Sequence, residues 1–214
     1  MAGGWTEVLT DPRTFFERRG EGPSIRGPVV IVGTVAVLGT VASLFTFQGL
    51  ADAVAEDAGE LLAGLQVFTA VVGFVLPFLV WLLYAVAFFV VSAFLDGEGS
   101  FRDVALLTAW GFLPQVLDAL AGLVATVVAT GEVTAPEVTS PEEFSAYADQ
   151  VAAHPASVAA TVLGIVLLLW SAYIWVAAVQ ESRGLDRGAA IITVAVPVAV
   201  ALLFRTFGLL GALF

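Results

Sequence analysis

Five predominantly apolar runs, residues 28–50, 67–95, 104–130, 156–180 and 188–214, occupy most of this 214-residue chain, and each is at least 23 residues long. About 20 such residues make a helix that crosses a hydrocarbon layer about 30 Å thick. Within that layer no water is available to satisfy backbone N–H and C=O groups, so runs of this length are expected to be helical. The sequence therefore predicts an all-α integral membrane protein: a five-helix bundle over residues 28–214, preceded by a short cytoplasmic amphipathic segment over residues 1–27. With 59% hydrophobic and 13% charged residues and a mean hydropathy of +0.98, a water-soluble core is excluded. The second run, at 29 residues, makes a helix of about 43 Å at about 1.5 Å per residue. It is expected to tilt, to extend beyond the bilayer, or to bend at Gly73 and Pro77.

The arginines set the direction of threading. Arg13, Arg18, Arg19 and Arg26 precede the first run, Arg102 separates the second from the third, and Arg183 and Arg187 separate the fourth from the fifth. The other two connections, beginning at Ala51 and Gly131, carry acids and no arginine. Under the positive-inside rule the amino terminus faces the cytoplasm and the carboxyl terminus lies outside a cell membrane. Ala51-Asp52-Ala53 mimics a signal cleavage site, but the preceding apolar run far exceeds a signal core of roughly 7 to 15 residues, so it is expected to be retained.

The formal net charge is -11 and the chain contains no lysine. Such acid-rich loops resemble those of salt-adapted microbial proteins, and they exclude nucleic acid, which requires a concentrated basic surface. No cysteine is present, so disulfides and thiolate chemistry are excluded.

Ahead of the first run, Trp5, Val8 and Leu9 recur at helical spacing, and Asp11-Pro12 offers an N-cap followed by proline at the first helical position. Phe15, Phe16, Arg18 and Arg19 follow. Aromatic rings beside guanidiniums suit a helix in the inner interface, with rings among acyl chains and arginines at lipid phosphate. The competing reading is a flap packed on the mouth of the bundle. Between the third and fourth runs, Ser140-Pro141-Glu142-Glu143 reads as the start of a short surface helix.

Charges inside apolar runs are the best functional candidates, because desolvating them is costly unless they pair or face water. There are two, Asp118 and Arg205. At about 1.5 Å per residue they lie about 21 Å and about 25 Å from the inner face, nearly one level. Gln115, one turn before Asp118, can share the network. Three readings stand: an ion pair that fixes helix register, a gated polar site for an ion or anionic solute, or an Arg205 that snorkels to the outer surface. Pro77, Pro114 and Pro197 each free a backbone carbonyl that needs an internal partner, and Pro114 makes the third run the most irregular. Gly33, Gly39, Ser43, Ala119, Gly122, Ala156, Ala160 and Gly164 read as close helix-packing positions. Trp81, Tyr84, Trp170, Tyr173 and Trp175 suit interfacial belts or interior packing.

Neither catalytic residues, nor a metal set, nor a cofactor site can be assembled from this sequence. The single histidine, His154, sits before a proline in an acidic connection without a second ligand in view. Gly97-Glu98-Gly99 lacks the rest of any phosphate-binding fingerprint and reads as a turn.

Four segments in order resemble the Yip family of multi-pass membrane proteins, named for Ypt/Rab GTPase-interacting members, and in particular its prokaryotic branch. They are Trp5 to Pro12 with Phe15-Phe16, Gly97 to Arg102, Ala109 to Pro114, and Trp170-Ser171-Ala172-Tyr173 leading to Arg183-Gly184-Leu185 and Arg187 to Ala190. The resemblance implies a five-helix bundle with a cytoplasmic amino-terminal segment, in a family whose eukaryotic members are associated with vesicle trafficking and membrane shaping. The tyrosine-glycine-proline motif of those members is absent and the cytoplasmic segment is short, so a GTPase partner is not carried over.

The leading functional expectation is a non-enzymatic membrane protein that organises lipid or partner proteins, its partners being the bilayer, other membrane proteins or a second copy of itself. The alternative is a small-solute or ion carrier centred on Asp118, Gln115 and Arg205.

Overall fold

Residues 4–18, 23–51, 59–134 and 141–213 are described by a computed structural model. Two short helices, α1 (Gly4–Thr10) and α2 (Pro12–Glu17), precede the first two spans, α3 (Arg26–Ala51) and α4 (Gly59–Ala93). The third run is broken: α5 (Phe101–Thr108) passes through a 3-10 turn at Ala109–Phe112 into α6 (Leu113–Glu132). A surface helix, α7 (Pro141–Ala153), leads to the last two spans, α8 (Pro155–Arg183) and α9 (Arg187–Leu213). Five segments are long and apolar enough to cross a membrane, and no strand occurs among the described residues.

Side chains set most helix boundaries. Asp11 caps α2 by accepting from the Thr14 N–H, and hydrogen bonding from Thr14, helped by Arg18 and Arg13, holds its carboxyl below the usual aspartate range. Ser100 accepts from the Asp103 N–H at 3.2 Å to start α5, and Asp186 accepts from the Ala189 N–H at 2.9 Å to start α9. His154 does the same for α8 through Nδ1, 3.2 Å from the Ala156 nitrogen, while its Nε2 lies 3.0 Å from Glu132. The single histidine is thus a helix cap. Of the expected α7 start, Ser140 lies outside the described residues, as does Arg19 of the amino-terminal segment.

The second span takes the route of extension: its helix begins at Gly59, well before the apolar run, and contains Pro77. The third takes the route of irregularity. Pro114 has no N–H for the carbonyl of Trp110, and that carbonyl instead accepts from the Leu113 N–H, which is the tighter 3-10 pattern. Nearby carbonyls find donors on neighbouring spans: the Trp81 indole donates to Ala105 and the Trp175 indole to Thr108, both at 2.8 Å. These bonds supply the internal partners that a helix break in a membrane demands.

The helices close into a ring in the order α4, α3, α6, α8, α9, with α9 returning to α4. The first part of the broken span, α5, packs instead between α4 and α8. Within the apolar window of α8 half the residues are buried, against 11% for α4, which makes α8 the central helix and leaves α4 facing outward over most of its length. Tyr84, Phe88, Phe112 and Trp175 form the aromatic centre, with Tyr84 stacked on Trp175 at 4.5 Å. Gly111 permits this, because a Cβ there collides with the Trp175 indole.

The two ends of the ring differ in where the loop arginines fall. At the arginine-bearing end, called the basic end although acids accompany its arginines, lie the start of α3 and the α4–α5 and α8–α9 connections; at the acidic end lie Glu132, α7 and the start of α8. Tyr147 seats α7, fully buried with its hydroxyl lacking a hydrogen-bond partner among the described residues. Burial pushes its phenol above the ordinary value of 10.0. Three expected packing glycines behave otherwise: a Cβ at Gly33, Gly39 or Gly122 meets nothing within 4 Å. Small residues permit close approach; whether a neighbour uses it is decided by helix rotation, which spacing alone does not specify.

Candidate functional site: a polar cluster at the acidic half of the ring

Asp118 on α6 and Arg205 on α9 meet, with Arg205 Nη2 at 2.5 Å from Asp118 Oδ2. The same nitrogen donates to Gln115 Oε1 at 3.3 Å, and Gln115 Nε2 donates to Ser171 Oγ on α8 at 2.9 Å. The chain Arg205–Gln115–Ser171 thus ties three helices together, with Asp118 neutralising the guanidinium. All three sequence-level candidates are brought together, and the unpartnered snorkelling arginine is not what forms. Spacing of 3 between Gln115 and Asp118 places both on one face of α6.

Gly164 on α8 makes the junction possible. A Cβ there collides with Arg205 Nη1 and lies 2.5 Å from Asp118 Oδ1. Sequence reasoning assigned Gly164 to helix packing; its neighbours turn out to be charged groups rather than another backbone. Ser171, fully buried, was read only as part of the Trp170 to Tyr173 segment. The pair forms one wall of a cavity of about 330 Å³ lined also by Gly122, Ala125, Thr126, Ser157, Ala160 and Thr161. Side chains of Asp118 and Arg205 are 20% and 30% exposed, so the pair is not sealed inside the bundle.

The basic end holds a second polar centre, which the sequence did not disclose. Arg183, 4% exposed, donates from Nε to Ser92 Oγ at 2.8 Å, from Nη1 to the Gly99 carbonyl at 2.8 Å and from Nη2 to the Gly97 carbonyl at 2.5 Å. Its guanidinium also sits 4.5 Å from the centre of the Phe89 ring. Gly99, at φ +103°, fits where a Cβ lies 2.5 Å from the Ser182 carbonyl. What reads as an interfacial charge and a turn are one interlocked structure, and the only sequence signal was that both belong to the family-like segments.

The amino-terminal rings require a correction. Phe15 and Phe16 are each 1% exposed, packed in the protein core and not among acyl chains. Phe15 meets Trp110 edge-on at 4.8 Å, Trp5 meets the same indole at 5.1 Å, and the Trp170 indole donates to the Leu9 carbonyl at 3.1 Å. The flap geometry prevails because the 3-10 turn presents Trp110 to α1 and α2, and burying Phe15 and Phe16 with Trp110 outweighs leaving them in the interface. Trp5 remains 47% exposed, and Arg13 and Arg18 project with side chains 77% and 68% exposed, each bridged to a glutamate, Glu17 and Glu7. All four family-like segments are therefore linked by contacts, which run from the Arg183 centre at the basic end up to Trp170 near the middle of α8.

A closed ring of apolar helices with one ion pair in its wall defines a multi-pass all-helical membrane protein. Among the described residues, no three His, Asp or Glu side chains gather to hold a metal. Residues 6–207 match the Yip1 domain family, and the chain belongs to that family. It is similar to an uncharacterized protein of Methanocaldococcus jannaschii, 27% identical over 115 residues that make up 53% of this chain and 82% of that one. No solved structure matches the chain.

Proposed function

We propose that the protein is a non-enzymatic organiser of lipid or partner proteins in the cell membrane, working from a cytoplasmic face formed by its basic end. The observation that carries this reading is the mutual contact of all four family-like segments around α1 and α2, which are docked yet leave Trp5, Arg13 and Arg18 outward. Guanidiniums beside an exposed indole suit anionic lipid headgroups or an acidic partner surface. The threading follows the arginine asymmetry, with the amino terminus in the cytoplasm and the carboxyl terminus outside. A photo-crosslinker placed at position 13 in native membranes tests it. A discrete adduct that disappears when Trp5→Ala and Arg18→Ala are combined is the expected result; labelling confined to bulk lipid and unchanged by those substitutions overturns the proposal.

A second reading is favoured by the cavity beside Asp118 and Arg205: a small-solute or ion carrier in which Gln115 and the ion pair form the polar site. Flux into proteoliposomes that is lost in both Asp118→Asn and Arg205→Gln supports it, and equal flux in protein-free vesicles removes it.

A further inference from the structure

The cavity of about 330 Å³ in the acidic half is an open recess with a charged wall. Thr126, Ser157 and Thr161 line it together with the small residues Gly122, Ala125 and Ala160, the Thr161 hydroxyl donating to the Ser157 carbonyl at 3.0 Å, and Asp118 with Arg205 forms one wall. Ser157 sits near the first residue of α8, whereas Arg205 lies about 12 Å below the last described residue of α9 at about 1.5 Å per residue. The volume is at the lower end of the range for small-molecule pockets, about 300–1,000 Å³.

Charge then selects the occupant. That wall is neutral overall, one carboxylate and one guanidinium bonded through a single nitrogen, Nη2. A simple anion that engages Arg205 must displace Asp118 and leave that carboxylate unpaired in a low-dielectric setting, and a simple cation that engages Asp118 strands Arg205 in the same way. A molecule with both charges strands neither: its anionic group takes the guanidinium fork and its ammonium takes Asp118, so each protein charge exchanges one partner for another. The surrounding field agrees, because Glu132, Glu143 and Asp149 at this end attract an ammonium and repel a bare anion.

We infer that this cavity binds a small zwitterion, with its carboxylate or phosphate on Arg205, its ammonium on Asp118 and the hydroxyls of Thr126, Ser157 and Thr161 around it. The inference rests on the polar-site reading of Asp118 and Arg205 but requires no passage across the membrane. A free amino acid and a phosphoethanolamine lipid headgroup share this chemistry.

Equilibrium dialysis of the full chain in a maltoside detergent tests it, with glycine, O-phosphoethanolamine, acetate and ethylammonium as probes. The expected result is saturable binding of a zwitterion at least tenfold tighter than either single-charge probe. Tighter glycine binding assigns the site to a free amino acid, and tighter O-phosphoethanolamine binding assigns it to a lipid headgroup. Ala160→Leu, which fills part of the cavity without altering either charge, is expected to weaken binding at least tenfold while leaving the unfolding temperature unchanged. Asp118→Asn is expected to erase the preference for zwitterion over acetate. Equal affinity for glycine and acetate, no saturable binding, or wild-type affinity in Ala160→Leu each overturns the inference. Binding without flux in proteoliposomes removes the carrier reading and leaves the site; flux without saturable binding removes the site.

Discussion

At the residue scale, Gly164 shows how one missing methyl group determines a polar contact between the two neighbouring helices. Gly164→Ala forces the Arg205 guanidinium off its place, and the expected consequence is a loss of about 1–3 kcal/mol, the usual range for overpacking. Thermal unfolding in detergent measures it. Asp118→Asn and Arg205→Gln are each destabilising because each strands a partner, whereas the double variant recovers part of the loss, with a coupling of about 1–3 kcal/mol. Additive single effects refute the pair. Tyr147→Phe works in the opposite direction: it removes a buried hydroxyl that lacks a partner among the described residues and keeps the ring, so stability is expected to rise by about 1 kcal/mol. Its pH dependence has a definite sign. Burial raises the phenol above 10.0, so the folded state holds this proton more tightly than the unfolded chain. The associated stability is present below pH 10 and is lost as pH climbs above it, a loss that Tyr147→Phe abolishes. Asp118 and Arg205 were legible as candidates because a charge within an apolar run is conspicuous. Gly164 was not, because every glycine in a span reads alike until its neighbour is known.

At the element scale, the third span repays attention because its break organises both ends. Proline at position 114 was visible in the sequence as an irregularity, but the sequence did not show that indoles from α4 and α8 would satisfy the carbonyls around it, nor that Trp110 would be turned toward α1 and α2. Those partners come from helices far away in the chain, and local propensity carries no record of them. The flap follows from the same arrangement. Phe15→Ala is expected to release α1 and α2, with a cost of about 3–5 kcal/mol for a buried aromatic ring and a large rise in protease cleavage ahead of α3. A cleavage pattern identical to wild type contradicts docking through this ring. Arg183→Met leaves the carbonyls of Gly97 and Gly99 without their donors, and a loss of about 2–4 kcal/mol is expected. Arg183→Lys is not a rescue, since an ammonium cannot span three acceptors in the fork geometry.

At the scale of the whole molecule, the threading is open to a direct test because no cysteine is present. Single cysteines at Ser24 and Ser100, exposed at the basic end, are expected to react with an impermeant thiol reagent only from the cytoplasmic side, and one at Ser145 only from outside. Reaction of position 145 from within overturns the proposed orientation. Ser182 is unsuitable, since it is buried and donates to the Ala178 carbonyl at 2.7 Å. What the sequence determined by itself was the number of spans, their all-helical character and the family, because hydrocarbon forces every backbone group to pair within its own segment and the apolar runs carry that requirement openly. What only the tertiary structure decided was which faces meet. The rotation of each helix about its axis brings Gly164 under Arg205, Trp110 over Phe15 and Arg183 onto the Gly97 and Gly99 carbonyls, and those angles are set by side-chain packing among distant spans, not by the order of residues within any one of them.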